Sequence, residues 1–357
     1  MAATTRTTAT AADSASWVVA EVLRAHVLIK EHVLRTPVLH SKPFSDEHFD
    51  VHFKLESEQH TGSFKARGAL SKMLQLSEAE AAKGLVTAST GNHALATGFA
   101  CERTGRSGTI FVPTTIAPAK AQLLAHYPQI KLEHVGEDCV ETELAALRAA
   151  RERGATWFSP YNDRQVIGGQ GTVGLELVEQ LASVDVVFVP VGGGGLISGI
   201  AGYLKVVQPT VHVVGCQPAQ SAVMMESIKA GAILDMPSGE TLSDGTAGGV
   251  EPGAVTFDVC RACVDEWVTV DEREIGDALF ALLDYHHKIV EGSAAMAFAC
   301  CRKWMAANVA SDSGAPRGGP GENGTKRRSL AVVLCGSNIA TAKVQAVVNS
   351  RMPANSS

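Results

Sequence analysis

A lysine at the start of a predicted helix is the first residue whose setting suggests chemistry. Residues 60–69 read HTGSFKARGA, and a helical pattern runs from Ala66 to Gln75. Gly62 and Ser63 permit a tight turn before this helix, so Lys65 stands beside the free N–H groups of a helix start. A lysine held there can attack a carbonyl group and form a Schiff base. The motif alone is weak, because most lysines at helix starts are solvated surface charges.

A run of four glycines is the strongest ligand-binding signal in the chain. Gly192, Gly193, Gly194 and Gly195 separate an apolar strand pattern from an apolar helix pattern that begins at Leu196. Such a backbone lets several N–H groups and a helix N-terminus converge on one phosphate. A serine stands where a dinucleotide fingerprint needs a third glycine, and no lysine follows as in a P-loop. The run therefore favours a lone phosphate, because close packing of helix on strand would need only one or two glycines.

Two more turns lie between strand and helix patterns. Residues 89–93 read STGNH, and their hydroxyl groups are ordinary helix caps or donors to a substrate carboxylate. We give His93 a mainly structural role, since a lone histidine at a helix start usually packs. Residues 335–338 read CGSN and place the thiol of Cys335 at the end of a buried strand pattern. The ordinary role of such a thiol is that of a small apolar side chain.

The elements that position these turns alternate between strand and helix, as is typical of parallel sheets covered by helices. Strands are predicted at residues 51–55, 84–88, 108–113, 131–135, 184–191, 211–216, 267–270 and 330–334. Helices are predicted at residues 16–33, 66–75, 93–103, 117–126, 138–153, 172–181, 196–206 and 219–230. A glycine-rich stretch between the helix at 219–230 and the strand at 267–270 is expected to be irregular, and Asp271 and Glu274 form a capping pair for a further helix. All three turns follow predicted strands, at the edge where open parallel sheets bind ligands.

Composition narrows the class of protein. With 357 residues the chain can form two domains, and its net charge of -6 offers no basic surface for nucleic acid or an anionic membrane. Its eight cysteines lack zinc spacing and are expected to be reduced thiols of a cytoplasmic protein. No apolar run is long enough to span a membrane. Residues 1–15 and 307–328 are expected to be disordered, with a transit peptide as the alternative for the first.

A reactive lysine, a site for one phosphate and donors for a carboxylate together suit pyridoxal 5'-phosphate and an amino acid. Here the chain resembles the fold type II pyridoxal-phosphate enzymes, and among them the serine/threonine dehydratase and serine racemase branch. The resemblance runs from about Arg35 to Asn338. The matching motifs, in the order of the family, are RTP at 35–37, SFKARGA at 63–69, STGNH at 89–93, GGQGT at 168–172, GGGG at 192–195, VEG at 290–292 and CGSN at 335–338.

The resemblance implies a role for individual residues. Lys65 is expected to hold the cofactor as a Schiff base and to act as the base at the substrate α-carbon. Asn92 is expected at the phenolic oxygen of the cofactor, Phe64 near its ring, and Cys335 at its pyridine nitrogen. The expected cofactor-binding residues are Lys65, Phe64, Asn92, Gly192, Gly193, Gly194, Gly195, Leu196, Gly245 and Cys335. The expected substrate-binding residues are Ser89, Thr90, Gly91, Asn92 and His93, with Thr90 also catalytic.

The resemblance also implies an α/β fold of two open, twisted, mainly parallel sheets flanked by helices, like the tryptophan synthase β subunit. We expect a large cofactor-binding domain from residues 16–57 and 157–350 and a small domain from residues 58–156. The cofactor is expected in the cleft between them. A homodimer is expected from the family alone.

The implied reaction is that of an ammonia-lyase, which converts a β-hydroxy amino acid such as L-threonine or L-serine to a 2-oxo acid and ammonia. A neutral Cys335 disfavours transamination and suits β-elimination. The alternatives are a serine racemase, a lyase for 3-hydroxyaspartate or a hydroxyectoine-derived substrate, and a cofactor-binding protein without turnover. Metal-activated members have acidic ligands where this chain has Gln217, Ser221 and Val223, so no metal is expected. Thr90 replaces the serine of the racemase.

Overall fold

The computed structural model describes residues 11–312 and 327–351. The strands are β1 Val38–His40, β2 Phe49–Lys54, β3 Leu85–Ala88, β4 Gly108–Val112, β5 Ile130–His134, β6 Thr156–Trp157, β7 Val186–Pro190, β8 His212–Pro218, β9 Glu266–Val270 and β10 Arg328–Val333. The α-helices are α1 Ala11–Ile29, α2 Lys65–Gln75, α3 Glu78–Ala82, α4 Asn92–Thr104, α5 Pro118–Ala125, α6 Cys139–Arg153, α7 Arg164–Gln180, α8 Gly195–Val207, α9 Val223–Ala230, α10 Val255–Cys263, α11 Glu272–His286, α12 Gly292–Asp312 and α13 Thr341–Asn349.

Two sheets form the framework. The six-stranded sheet has the order β1-β2-β10-β7-β8-β9, and only its β1–β2 pair is antiparallel. The four-stranded sheet has the order β5-β4-β3-β6 and is parallel throughout. The predicted α/β class with two mainly parallel sheets is therefore confirmed. The second sheet uses residues 85–157, and the domain boundaries at 58 and 156 stay a prediction.

The centre of the larger sheet explains why distant motifs meet. β10 pairs with β2 on one side and β7 on the other, all parallel, so the three strands end at the same edge. β7 is buried along its whole length, because helices cover both faces of the sheet. The lysine turn follows β2, the glycine run follows β7, and the CGSN turn follows β10. The sheet thus brings three of the sequence motifs together.

Helix α2, which carries Lys65, lies unusually close to α7. A Cβ atom on Gly169 would stand 2.6 Å from the carbonyl oxygen of Arg67, a distance that no real side chain adopts. The glycine of the GGQGT motif therefore lets the two helix backbones touch. The contact fixes the start of α2 relative to the large sheet.

The predicted disordered segments need correction at their edges. Residues 11–15 belong to α1, because Ala15 is buried in the core, so the helix begins before residue 16 and ends at Ile29. Residues 1–10 lie outside the described part of the chain. The prediction of disorder for 307–328 is wrong for residues 307–312, which continue α12, and for residue 328, which begins β10. Residues 313–326 are likewise outside the described ranges.

Several helical segments were not predicted or were predicted too short, among them α10 and α7. α10 falls in a glycine-rich stretch that we expected to be irregular. α7 begins at Arg164, because the Asp163 carboxylate accepts from the N–H groups of Gln165 and Val166 and caps the helix. The predicted capping pair of Asp271 and Glu274 is confirmed as a reciprocal capping box. Across residues 11–312 and 327–351, no helix is long and apolar enough to cross a membrane.

Candidate active site

The amine of Lys65 lies near the carboxyl edge of the large sheet, in the turn that follows β2. Its Nζ donates to the carbonyl oxygen of Pro160 at 2.7 Å and lies 5.3 Å from the centre of the Phe64 ring. Burial disfavours the ammonium form and lowers the pKa of Lys65 to about 8, although the Glu291 carboxylate opposes this change. A useful fraction of the amine is therefore unprotonated and nucleophilic near neutral pH.

The turn before Lys65 is held by the CGSN segment. The Phe64 N–H donates to the carbonyl oxygen of Cys335 at 3.0 Å, and the Ser337 N–H donates to that of Gly62 at 2.8 Å. Gly62 has a φ of 69°, which a side chain would strain. The lysine is thereby fixed from two directions, by its own helix and by the end of β10.

A buried ionic network anchors the other face of α2. Arg67 is fully buried and pairs with Glu56 at 2.8 Å and Glu176 at 2.6 Å, while Lys54 pairs with Glu176. Burial alone would raise the pKa of Glu56, but the Arg67 guanidinium beside it lowers that pKa overall. Two cations and two carboxylates thus compensate each other. The network joins β2, α2 and α7 and sets the start of the lysine helix.

The glycine run forms a concave loop with free backbone donors. Within the described residues, the N–H groups of Gly192, Gly193, Gly194, Gly195 and Leu196 have no protein acceptor. Gly194 has a φ of 89° and precedes the first residue of α8. Five unpaired donors at a helix N-terminus fit a phosphate group. These are the donors expected from the sequence.

Tyr161 covers the glycine loop from the side of Lys65. A Cβ atom on Gly193 would stand 2.5 Å from the Tyr161 ring, so only glycine leaves room for it. The tyrosine hydroxyl accepts from the Glu251 N–H at 2.8 Å, and burial raises its pKa. Because Tyr161 follows Pro160, one short segment contacts both the lysine amine and the glycine loop. No sequence pattern had identified this tyrosine.

The STGNH turn lies at the end of β3, at the start of α4. The Gly91 N–H donates to the Ser89 hydroxyl at 3.3 Å, and a Cβ atom on Gly91 would meet nothing within 4 Å. Thr90 is half-buried, and its hydroxyl has no hydrogen bond within the described residues. The turn therefore presents hydroxyl and backbone groups to open space. Its assignment as a substrate site stays a prediction.

His93 lies beneath this turn with its ring buried. The ring packs edge-on against Phe158 at 4.5 Å, and its Nε2 is 3.0 Å from the Thr87 hydroxyl. Burial, with the charge of Lys65, lowers the pKa of His93 to about 3 and keeps the ring neutral. This environment agrees with a structural role. A direct contact between its ring and the substrate stays a prediction.

Glu291 links residues that were predicted separately. Its carboxylate accepts from the Asn92 side chain at 2.8 Å and lies 3.4 Å from the Cys335 sulfur. A Cβ atom on Gly245 would lie 3.6 Å from it. Burial raises the pKa of Glu291, while the bonds from Asn92 and Cys335 oppose that change. The VEG motif had been recognised, but its carboxylate was given no role, and an acidic residue between Val290 and Gly292 was the available signal.

The arrangement fits pyridoxal 5'-phosphate on grounds of its own chemistry. The five free N–H groups suit its phosphate, and the Lys65 amine suits its aldehyde. The Cys335 thiol is buried, and burial raises its pKa well above the ordinary value, so it is a neutral partner. The buried hydroxyl groups of Thr61 and Ser63, in the lysine turn, have no partner within the described residues. These groups would hold the cofactor between the glycine loop and the lysine.

The residues at the positions where the resemblance implied metal ligands make other contacts. The Gln217 amide donates to the carbonyl oxygen of Val191 at 3.2 Å and accepts from the Met225 N–H at 2.8 Å. Gln217 thereby bridges the strand before the glycine loop and the start of α9. Val223 is buried among apolar side chains. In residues 11–312 and 327–351 no group of three or more His, Cys, Asp or Glu is placed to bind a metal.

Comparison with known proteins shows that the chain is similar to enzymes that depend on pyridoxal phosphate. The family described as pyridoxal-phosphate dependent enzyme matches residues 29–313. An L-threonine ammonia-lyase of Geobacter sulfurreducens is 39% identical over 272 residues, which are 76% of this chain and 67% of that protein. Among solved structures, the processed form of threonine deaminase isoform 2 from Solanum lycopersicum has a TM-score of 0.85 at 28% identity, covering 95% and 94% of the two chains. Maize serine racemase has a TM-score of 0.82 at 28% identity, covering 93% and 97%.

Proposed function

Since the chain belongs to the family of pyridoxal-phosphate dependent enzymes, we propose that it is an ammonia-lyase for L-threonine or L-serine. The observation that carries the proposal is the half-buried Lys65 amine, whose pKa is lowered to about 8, beside a loop of free N–H donors. The names of its relatives, L-threonine ammonia-lyase and threonine deaminase, support the substrate. The products would be the 2-oxo acid and ammonia.

The residues of the site divide between cofactor and substrate. Gly192 to Leu196 would hold the phosphate through backbone N–H groups, and the Lys65 amine would hold the aldehyde. Asn92 would hold the phenolic oxygen, and Cys335 the pyridine nitrogen. The hydroxyl and N–H groups of residues 89–91 bind the substrate carboxylate, and their exposure to open space supports that role.

The chemistry then follows from positioned proton transfer. When bound, pyridoxal phosphate supplies an electron sink that acidifies the α-carbon of the amino acid. Lys65 Nζ, partly unprotonated near neutral pH, takes the proton from that carbon. The β-hydroxyl group leaves as water, and the released enamine is hydrolysed. L-threonine thus gives 2-oxobutanoate and ammonia without an oxidant or reductant.

Racemisation is the competing reaction, because a serine racemase is among the structural neighbours. It needs an acid on the face of the α-carbon opposite Lys65. Thr90 has a hydroxyl without a partner in the described residues, but its β-branch stiffens χ1. We therefore place elimination ahead of racemisation.

The assembly is proposed to be a homodimer in the cytoplasm. The family resemblance supports the dimer, as do the exposed side chains of Tyr285 and Ile289, which are 58% and 55% accessible. The eight cysteines are reduced, which supports a reducing compartment. Sedimentation equilibrium of the purified protein tests the dimer, and a monomer at micromolar concentration would contradict it.

The decisive experiment measures oxo-acid release from a panel of L-threonine, L-serine, 3-hydroxyaspartate and a hydroxyectoine-derived amino acid. We expect L-threonine or L-serine to give the highest kcat/KM. Lys65→Ala should abolish turnover and borohydride trapping of the cofactor, whereas Lys83→Ala, at an exposed position, is the control. Cofactor binding without release of ammonia from any substrate would refute the lyase and favour a binding protein.

A further inference from the structure

We infer that Thr256 is a positioning residue for the phosphate-binding loop, because its hydroxyl holds the Gly193–Gly194 peptide in the orientation that an anion needs. Thr256 lies in the first turn of α10, a helix in a stretch where the sequence had predicted irregular structure. It would not touch the substrate. Its action is through the backbone of the loop.

The contact is short and buried. Thr256 has no exposed surface, and its Oγ1 donates to the carbonyl oxygen of Gly193 at 2.7 Å. A Cβ atom on Gly194 would stand 3.0 Å from the Cβ of Thr256. α10 therefore forms the floor beneath the loop, and the hydroxyl is the polar link between them.

Because the peptide bond is trans, the hydrogen bond from Thr256 to the Gly193 carbonyl oxygen also sets the direction of the Gly194 N–H. No described peptide bond is cis, so the Gly194 N–H points away from the Gly193 carbonyl oxygen. Since that oxygen faces Thr256, the N–H faces away from α10. The hydroxyl thus fixes the Gly194 N–H on the face of the loop that is turned away from α10, where it has no protein acceptor within the described residues. Tyr161 also contacts this loop, at Gly193, and its neighbour Pro160 accepts from Lys65.

The mobility of glycine explains why the loop needs such a link. A peptide between two glycines can rotate by a coupled change of ψ and φ at little steric cost. Rotation of the Gly193–Gly194 peptide would turn its carbonyl oxygen toward the anion and its N–H away from it. The hydrogen bond from Thr256 disfavours this rotation, because the carbonyl oxygen would lose its buried partner.

α10 is itself fixed by the segment that contacts Lys65. The Val255 N–H donates to the Asn162 side chain at 3.0 Å, and the Asn162 amide donates to Glu251 at 2.9 Å. Hydrogen bonds therefore join the floor of the loop to the segment at the lysine. This connection places the phosphate loop at a set distance from the amine.

The test compares two ligands that differ only in the phosphate. Apoprotein is titrated with pyridoxal phosphate and with pyridoxal, and both dissociation constants are measured by absorbance and fluorescence. Thr256→Val should weaken pyridoxal phosphate about tenfold, the order expected for one buried hydrogen bond, and leave pyridoxal within about twofold. The phosphorus-31 resonance of the bound cofactor should also shift. Thr256→Ser, which keeps the hydroxyl, should restore both values.

Thr142→Val is the matched control, since Thr142 is a buried helical threonine that donates to the carbonyl oxygen of Val135 at 2.8 Å. It should lose stability without a change in the ratio of the two dissociation constants. Equal weakening of both ligands by Thr256→Val, or no weakening of either, would overturn the inference. If Thr256→Val does not fold, Thr256→Ala is judged by the same ratio. Failure of the native protein to release ammonia would refute the proposed lyase but leave this ratio intact.

Discussion

The reactivity of Lys65 should follow an unusually low titration midpoint, and its pH dependence can be calculated. With a pKa of about 8, roughly a tenth of the amine is unprotonated at pH 7 and roughly nine tenths at pH 9. Its labelling rate should therefore rise about tenfold between these pH values and then level off. A solvated lysine, with the ordinary pKa of 10.5, would gain about a hundredfold over the same interval and continue to rise.

The assay is trace acetylation of the apoprotein with acetic anhydride at a series of pH values. Mass spectrometry of the peptide that contains Lys65 gives its labelling rate, and the exposed Lys120 provides the reference label within the same sample. Holoprotein, in which the amine is bound to the cofactor, should be protected. A hundredfold rise from pH 7 to pH 9 would show that burial does not lower the pKa of Lys65 and would refute the reasoning.

A neighbouring charge offers a second test of the same cause. Burial lowers the pKa of Lys65, whereas the Glu291 carboxylate favours the protonated amine and raises it. Glu291→Gln removes that opposing charge, so the labelling midpoint should fall below the native value. An upward movement of the midpoint would contradict the stated balance of burial and charge.

Three further predictions concern stability, metal and reaction outcome. Arg67→Met leaves Glu56 and Glu176 with one buried cation, so the free energy of unfolding by denaturant should fall by about 3–5 kcal/mol. The same substitution at Arg153, which lies in an exposed ion pair, is the control. An equal loss of stability there would contradict the role of burial. Because Gln217 is neutral and engaged with backbone, chelators should leave activity within about twofold, and a larger loss restored by magnesium would disprove this. With L-serine as substrate, the native protein should form pyruvate faster than D-serine, and Thr90→Ser should raise the fraction of D-serine. If the native protein formed D-serine faster than pyruvate, it would be a racemase.

Local patterns in the sequence were sufficient for most of the element types and for recognising the lysine and glycine motifs. β7 is a continuous apolar run because helices cover both of its faces, and such a run identifies a buried parallel strand. The capping box at Asp271 was likewise predictable, since it depends on residues three positions apart. The run of four glycines was likewise recognisable from the sequence, because it is a feature of local composition.

The partners of these motifs depended on contacts between distant residues. Tyr161 fills the space above Gly193, and Thr256 supports the loop from below, yet both stand in segments without a periodic signal. The pKa of Lys65 arises from burial and from Glu291, which is more than two hundred residues away. α10 was missed because glycines before it suggested irregular structure, whereas packing against α8 stabilises it.

The amino-acid sequence by itself determined the α/β class and was enough to propose Lys65 as the reactive lysine and the glycine run as the phosphate site, because each rests on residue types close together in the chain. Only the tertiary structure decided how these parts meet. The order β2-β10-β7 sets three turns side by side, and strand order arises from pairing across long stretches of chain. Burial and electrostatic environment are properties of that assembled edge. They explain the neutral ring of His93 and the lowered pKa of Lys65, which the sequence could not predict. The same holds for the contacts of Glu291 and Thr256.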